Sequence, residues 1–103
     1  EQIKEKVERI AHKFMRKQEL DFISDERKIE ELYVCWCAKE AVYKCYGQKE
    51  VSFLDNILLE PFRFEGHGVV EARLRKGDIA IDYTVGYQQY EGYMLGYVIQ
   101  ENV

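Results

Sequence analysis

Residues 69–87 read "VVEARLRKGDIAIDYTVGY", and their alternation decides the fold. Val70, Ala72 and Leu74 fall on one face of a first strand, and Ile79, Ile81, Tyr83, Val85 and Tyr87 on one face of a second. Lys76, Gly77 and Asp78 supply the turn between them. Such a pair is an antiparallel hairpin with one face on a core. Upstream, "PFRFE" at 61–65 sets Phe62 and Phe64 against Arg63 and Glu65, which predicts another strand begun or edged by Pro61. Gly66, His67 and Gly68 read as a turn. Downstream, a turn near Glu91 and Gly92 leads into "YMLGYVIQ" at 93–100.

Before Gly47 the period changes. Ile3, Val7, Ile10, Ala11 and Phe14 recur at helical spacing and predict an amphipathic helix over 3–17. Residues 18–23 connect. Ser24 is a suitable N-cap, and Asp25 and Glu26 suit a first turn, so a second helix is expected from there to about Tyr46. Ile29, Leu32, Tyr33 and Trp36 mark its buried stripe, and Gly47 stops it. Ser52 to Asn56 reads as one short helical turn. The expectation is an α+β fold in one domain spanning 1–103, with two helices packed on a three- to four-stranded antiparallel sheet. Neither an internal repeat nor a low-complexity linker is visible.

The chain has 103 residues, 47% hydrophobic and 33% charged, which reads as soluble and globular. No apolar run approaches the roughly 20 residues of a membrane helix. Net charge is −4, which argues against a nucleic-acid partner. Residues 1–30 and 31–77 are each balanced, whereas 78–103 carry Asp78, Asp82, Glu91 and Glu101 without a base. Cys35, Cys37 and Cys45 are odd in number and share one expected helix, which argues against a disulfide framework and for a reducing cytoplasm. No CxxC pair is present, and His12 and His67 lie far apart, so zinc is not indicated. Glu1 rather than Met at the start reads as a piece of a longer protein.

Most catalytic motifs are missing. Ser24 and Ser52 lie outside any nucleophile elbow, and neither a phosphate loop nor a dinucleotide fingerprint occurs. What remains is "WCAKEAVYK" at 36–44. Glu40 is one turn after Trp36 and one before Lys44, so the three lie near one stripe. A partly desolvated Glu40 would need a cation, either Lys44 or a metal. By spacing alone, Glu then Lys at i, i+4 is the commonest helix-surface ion pair, and that reading is the favoured one.

The whole stretch, however, resembles the second signature of the 4′-phosphopantetheinyl transferase superfamily: an aromatic residue, two variable positions, Lys-Glu, three variable positions and Lys. "KVERIAHKFM" at 6–15 is similar to the family's first helix, and "YGQKEVSFLDNILLEPF" at 46–62 to its passage from helix to sheet. The likeness spans most of the chain, with the nine-residue signature as its specific part. Trp36 at the head resembles the two-lobed, Sfp-like branch more than the single-lobed holo-acyl-carrier-protein synthase branch, and implies a C-terminal lobe.

The resemblance implies Mg²⁺-dependent transfer of the phosphopantetheine arm from coenzyme A to a serine of an acyl or peptidyl carrier protein. Glu40 would be a metal ligand and, directly or through water, the base for that serine. Lys44 would contact CoA phosphate, with Lys39 as a second CoA-binding lysine. The family's first signature, Gly-x-Asp-x-Glu, would lie just ahead of the first helix, where Glu1 is matched to its last residue as a second metal ligand. A second lobe or another subunit would complete the CoA cleft. Arg9, Lys13, Arg16 and Lys17 on the first helix would steer acidic carriers by charge. The competing reading is a non-catalytic α+β module that binds a partner or oligomerises, without a complete metal site. His12, His67 and the tyrosines receive no chemical role.

Overall fold

The computed structural model describes residues 3–48 and 50–103, with side chains from Lys6 onward. Helices α1 (Ile3–Phe14), α2 (Lys17–Leu20), α3 (Lys28–Tyr46) and α4 (Phe53–Asn56) precede strands β1 (Ile57–Leu59), β2 (His67–Lys76), β3 (Ile79–Tyr90) and β4 (Tyr93–Asn102). The strands form one antiparallel sheet in the order β1-β2-β3-β4. The α+β expectation holds, with the sheet at four strands and the single-turn α2 added to the two long helices and the expected short turn.

The hairpin at 69–87 forms as its alternation requires. Val70 pairs with Val85, and Ala72 with Tyr83. Val70, Ala72, Leu74, Tyr83, Val85 and Tyr87 are all buried, so one sheet face is the core floor. Helix α3 lies across this face, and α1 packs on α3. The opposite face carries ion pairs such as Arg75–Asp82 at 2.8 Å and Arg73–Glu60 at 2.9 Å. It also leaves Val69, Leu95, Tyr97 and Ile99 about half exposed.

Four boundaries differ from the sequence expectation, three of them because a polar group is used locally. Helix α1 stops at Phe14, and the chain re-enters a helix at Lys17, where Glu19 Oε1 accepts the Arg16 N–H at 2.8 Å. Helix α3 starts at Lys28 because Ser24 serves the preceding turn. Its hydroxyl accepts the Arg27 N–H at 3.2 Å and donates to Glu31 Oε1 at 3.0 Å. "PFRFE" is not a strand. The Phe64 N–H goes to Glu31 Oε2 at 2.9 Å and the Glu65 N–H to the Tyr87 hydroxyl at 3.2 Å, so no ladder is left to form. Phe62 and Phe64 both pack on Tyr87, with ring centroids 5.8 and 5.9 Å away. The turn foreseen at 66–68 is shorter, because β2 already begins at His67. The single turn at α4 is present and is capped by Ser52, whose hydroxyl accepts the Asp55 N–H at 3.0 Å. Gly47 ends α3 in the left-handed conformation at φ 72°, which a glycine adopts without steric cost.

The buried stripe of α3 is also turned from the expected one. Glu31, Leu32, Val34, Cys35, Ala38, Lys39 and Val42 are buried, whereas Ile29, Tyr33 and Trp36 are partly exposed. Two of the buried positions carry charge. This hides the apolar face from any reading of hydrophobic period.

Candidate functional site

At 100° per residue, Glu40 and Lys44 lie on the side of α3 away from its buried arc. Their side chains are 42% and 74% exposed, and Glu40 Oε2 stands 3.9 Å from Lys44 Nζ. That distance is an ion pair without a hydrogen bond, weakly held and free to part. Both residues line a groove of about 220 Å³ between α3 and β4, with Cys37, Met94, Leu95 and Gly96 as further walls. Cys37 Sγ donates to the Met94 carbonyl at 3.5 Å, tying helix to strand. Burial, followed by the charge of Glu40, pushes the Cys37 thiol up to about 11, so it stays protonated at neutral pH. Gly96 permits the close approach: a Cβ there would lie 3.0 Å from the carbonyl carbon and oxygen of Cys37.

Lys39 does not point at this groove. It is fully buried, and its ammonium donates to Phe14 O at 2.7 Å, Glu19 Oε1 at 2.9 Å and Phe53 O at 2.9 Å. All three protons are thereby engaged on internal acceptors. The assignment of Lys39 to CoA is corrected on this ground: its neighbours one turn away on the same face, Cys35 and Val42, draw it into the core. Burial lowers its pKa, and the hydrogen bond and charge of Glu19 oppose that shift. Glu1 lies outside the described residues. Among the described residues, no group of three or more His, Cys, Asp or Glu side chains could hold a metal ion. Glu40 offers one carboxylate, which suits magnesium as an oxygen donor, but the described donor set is not a complete site.

The basic cluster foreseen on the first helix is divided. Arg16 lies beyond the end of α1, and its guanidinium donates to the Leu54 carbonyl at 2.7 Å and to that of Asp55. Lys13 stays exposed on α1, and Lys17 begins α2. His12 and His67 are both exposed.

Two features escaped the sequence reading. The first is the pair of buried carboxylates. Glu19 Oε2 accepts the Leu59 N–H at 2.8 Å, and Glu31 accepts from Ser24 and Phe64. The apolar neighbours of Lys39 on its own helix face were the available signal for its burial, and a buried lysine implies a carboxylate partner. The second is an apolar groove between α1 and α3. One part, of about 360 Å³, is lined by Lys6, Val7, Ile10, Tyr33 and Trp36. Another, of about 330 Å³, is lined by Ile10, Lys13, Phe14, Trp36 and Phe53. Trp36 anchors this side of α3, 5.2 Å from the Phe14 ring and 5.3 Å from that of Phe53.

A Glu-x-x-x-Lys pair thus stands on the exposed side of the helix that covers the α+β sheet. The sequence model of the 4′-phosphopantetheinyl transferase superfamily matches residues 1–98, and the chain belongs to that superfamily. Its members generally use coenzyme A as substrate and act on carrier proteins. Neither the curated proteins nor the solved structures compared with the chain give a match. No described helix is long and apolar enough to cross a membrane.

Proposed function

We propose that this chain is the C-terminal lobe of a 4′-phosphopantetheinyl transferase, a single domain that moves the phosphopantetheine arm of CoA to a carrier-protein serine. The observation that carries the reading is the family match over 1–98 together with Glu40 and Lys44, one turn apart and exposed beside a groove. In the transfer, the serine Oγ forms a bond to phosphorus, the bridging P–O bond of the CoA diphosphate breaks, and the hydroxyl proton leaves. Glu40 takes that proton, directly or through water. Lys44 has an exposed ammonium and only a 3.9 Å hold on Glu40, so it can turn to the phosphate and offset charge on the leaving group. Glu40 would give a bound magnesium one oxygen, and the ion would supply charge neutralisation at the diphosphate.

A second lobe or subunit completes the cleft in this reading. It is supported by the half-exposed Val69, Leu95, Tyr97 and Ile99 on the outer sheet face. Exposed Lys13 and Lys17 remain as the steering charges for an acidic carrier. Three free cysteines fit a cytoplasmic setting. The competing reading is a non-catalytic module that binds a partner or oligomerises. The two separate when labelled pantetheine is offered on CoA to an apo-carrier, using the full-length protein with and without Mg²⁺. Metal-dependent label on the carrier is expected; no label under either condition supports the binding module.

A further inference from the structure

Helix α3 is held by two buried polar anchors as well as by apolar packing. At Lys39, three hydrogen bonds reach Phe14 at the end of α1, Glu19 in α2 and Phe53 in α4. Glu19 extends the same anchor to the Leu59 N–H in β1. At Glu31, about two turns earlier, Oε1 accepts from Ser24 N–H and Oγ at 2.8 and 3.0 Å, and Oε2 from Phe64 N–H. Both side chains are fully buried, and no described buried side-chain nitrogen or oxygen lacks a partner. Apolar contacts tolerate sliding and small rotations, whereas a buried hydrogen-bonded charge has one acceptable position. Anchors at two heights fix both the rotation of α3 about its axis and its position along it.

We infer that Lys39, through Glu19, is a positioning residue that sets the rotation of α3 and so aims Glu40 and Lys44 at the groove beside β4. This rests on the reading of Glu40 and Lys44 proposed above. Lys39 directly precedes Glu40, so the side chain locked inward dictates the direction of the one facing outward. A side chain's tip lies roughly 5–6 Å from the helix axis, so a turn of about 20° moves it about 2 Å. Misplacement on that scale lowers turnover by roughly 100-fold. The wall opposite Glu40 does not yield to such a turn, because Gly96 already brings β4 against the Cys37 backbone.

The test compares Lys39→Met with Leu74→Ala, a loss of core volume in β2 outside the groove, in the full-length protein well below each melting temperature. Two readouts are taken: kcat with saturating CoA, and NMR contacts between Cys37 and Gly96 and between Trp36 and Phe14. Lys39→Met should lose roughly 100-fold in kcat with both sets of contacts rearranged, while Leu74→Ala melts earlier but keeps both. Should Lys39→Met not fold, Glu19→Gln, which keeps the shape and removes the charge, is read the same way. Unchanged contacts overturn the inference, whether or not kcat falls, because the helix has then not turned. An equal loss of kcat in Leu74→Ala also overturns it. If the wild type transfers nothing, the proposed function fails, and the NMR contacts alone decide the positioning claim.

Discussion

The Lys39–Glu19 and Lys44–Glu40 pairs both draw their lysine from α3 and differ in almost every physical respect. Lys39 meets Glu19 at 2.9 Å with both side chains buried, and each also binds backbone groups of other elements. Lys44 stands 3.9 Å from Glu40 with both side chains in water. The first pair joins five elements of the fold, while the second joins one helix turn to the next. Burial makes the inner pair costly to break and immobile, and exposure makes the outer pair weak and available. Under the proposed function, structure and chemistry are thus divided between two adjacent residues, Lys39 and Glu40.

The largest effect comes from breaking the inner pair. Glu19→Ala leaves a buried ammonium and two backbone N–H groups without their acceptor. Denaturant unfolding should show a loss of about 3–5 kcal/mol. Lys44→Ala in the same assay should change stability by no more than about 0.5 kcal/mol. Comparable losses would erase the distinction. Next comes the contact that forms the groove. Gly96→Ala forces a methyl group against the Cys37 backbone and should cost about 1–3 kcal/mol, with loss of the Cys37–Gly96 NMR contact.

A smaller effect is electrostatic. The Cys37 thiol ionises at about 11 in the folded chain against an ordinary value of 9.0. The folded chain therefore keeps a proton that the unfolded chain has released. The stabilisation is whole below pH 9.0, falls as pH rises, and is gone above about 11. Unfolding free energies measured from pH 8 to 11 should slope less steeply in Cys37→Ala; equal slopes would place the raised pKa elsewhere. The smallest effect is one of thiol reactivity. Cys45 is exposed and Cys35 fully buried, so alkylation at neutral pH should mark Cys45 first and Cys35 last.

Much of the fold was legible because most of its strands obey one rule. Val70, Ala72, Leu74, Tyr83, Val85 and Tyr87 alternate with polar neighbours and are buried as that pattern requires. The same rule failed at 61–65. Phe62 and Phe64 alternate with Arg63 and Glu65, yet backbone donors there bond to side chains, which period cannot reveal. Helix α3 was legible at its Gly47 end but not in its start or orientation, since Ser24 serves the preceding turn and Glu31 and Lys39 occupy core positions that a hydrophobic pattern assigns to solvent. At the site, the i, i+4 spacing placed Glu40 and Lys44 side by side, as observed. It could not place Lys39, whose partner Glu19 is far off in sequence, or show that Gly96 would close the groove from β4.

The outer pair carries the proposed chemistry, and Glu40 is its centre. Pantetheine transfer from CoA to an apo-carrier is measured for full-length wild type and Glu40→Gln, alongside the unfolding free energy of each. Transfer should fall by on the order of 100-fold or more, while stability stays within about 0.5 kcal/mol. Full transfer by Glu40→Gln would contradict the role proposed for Glu40.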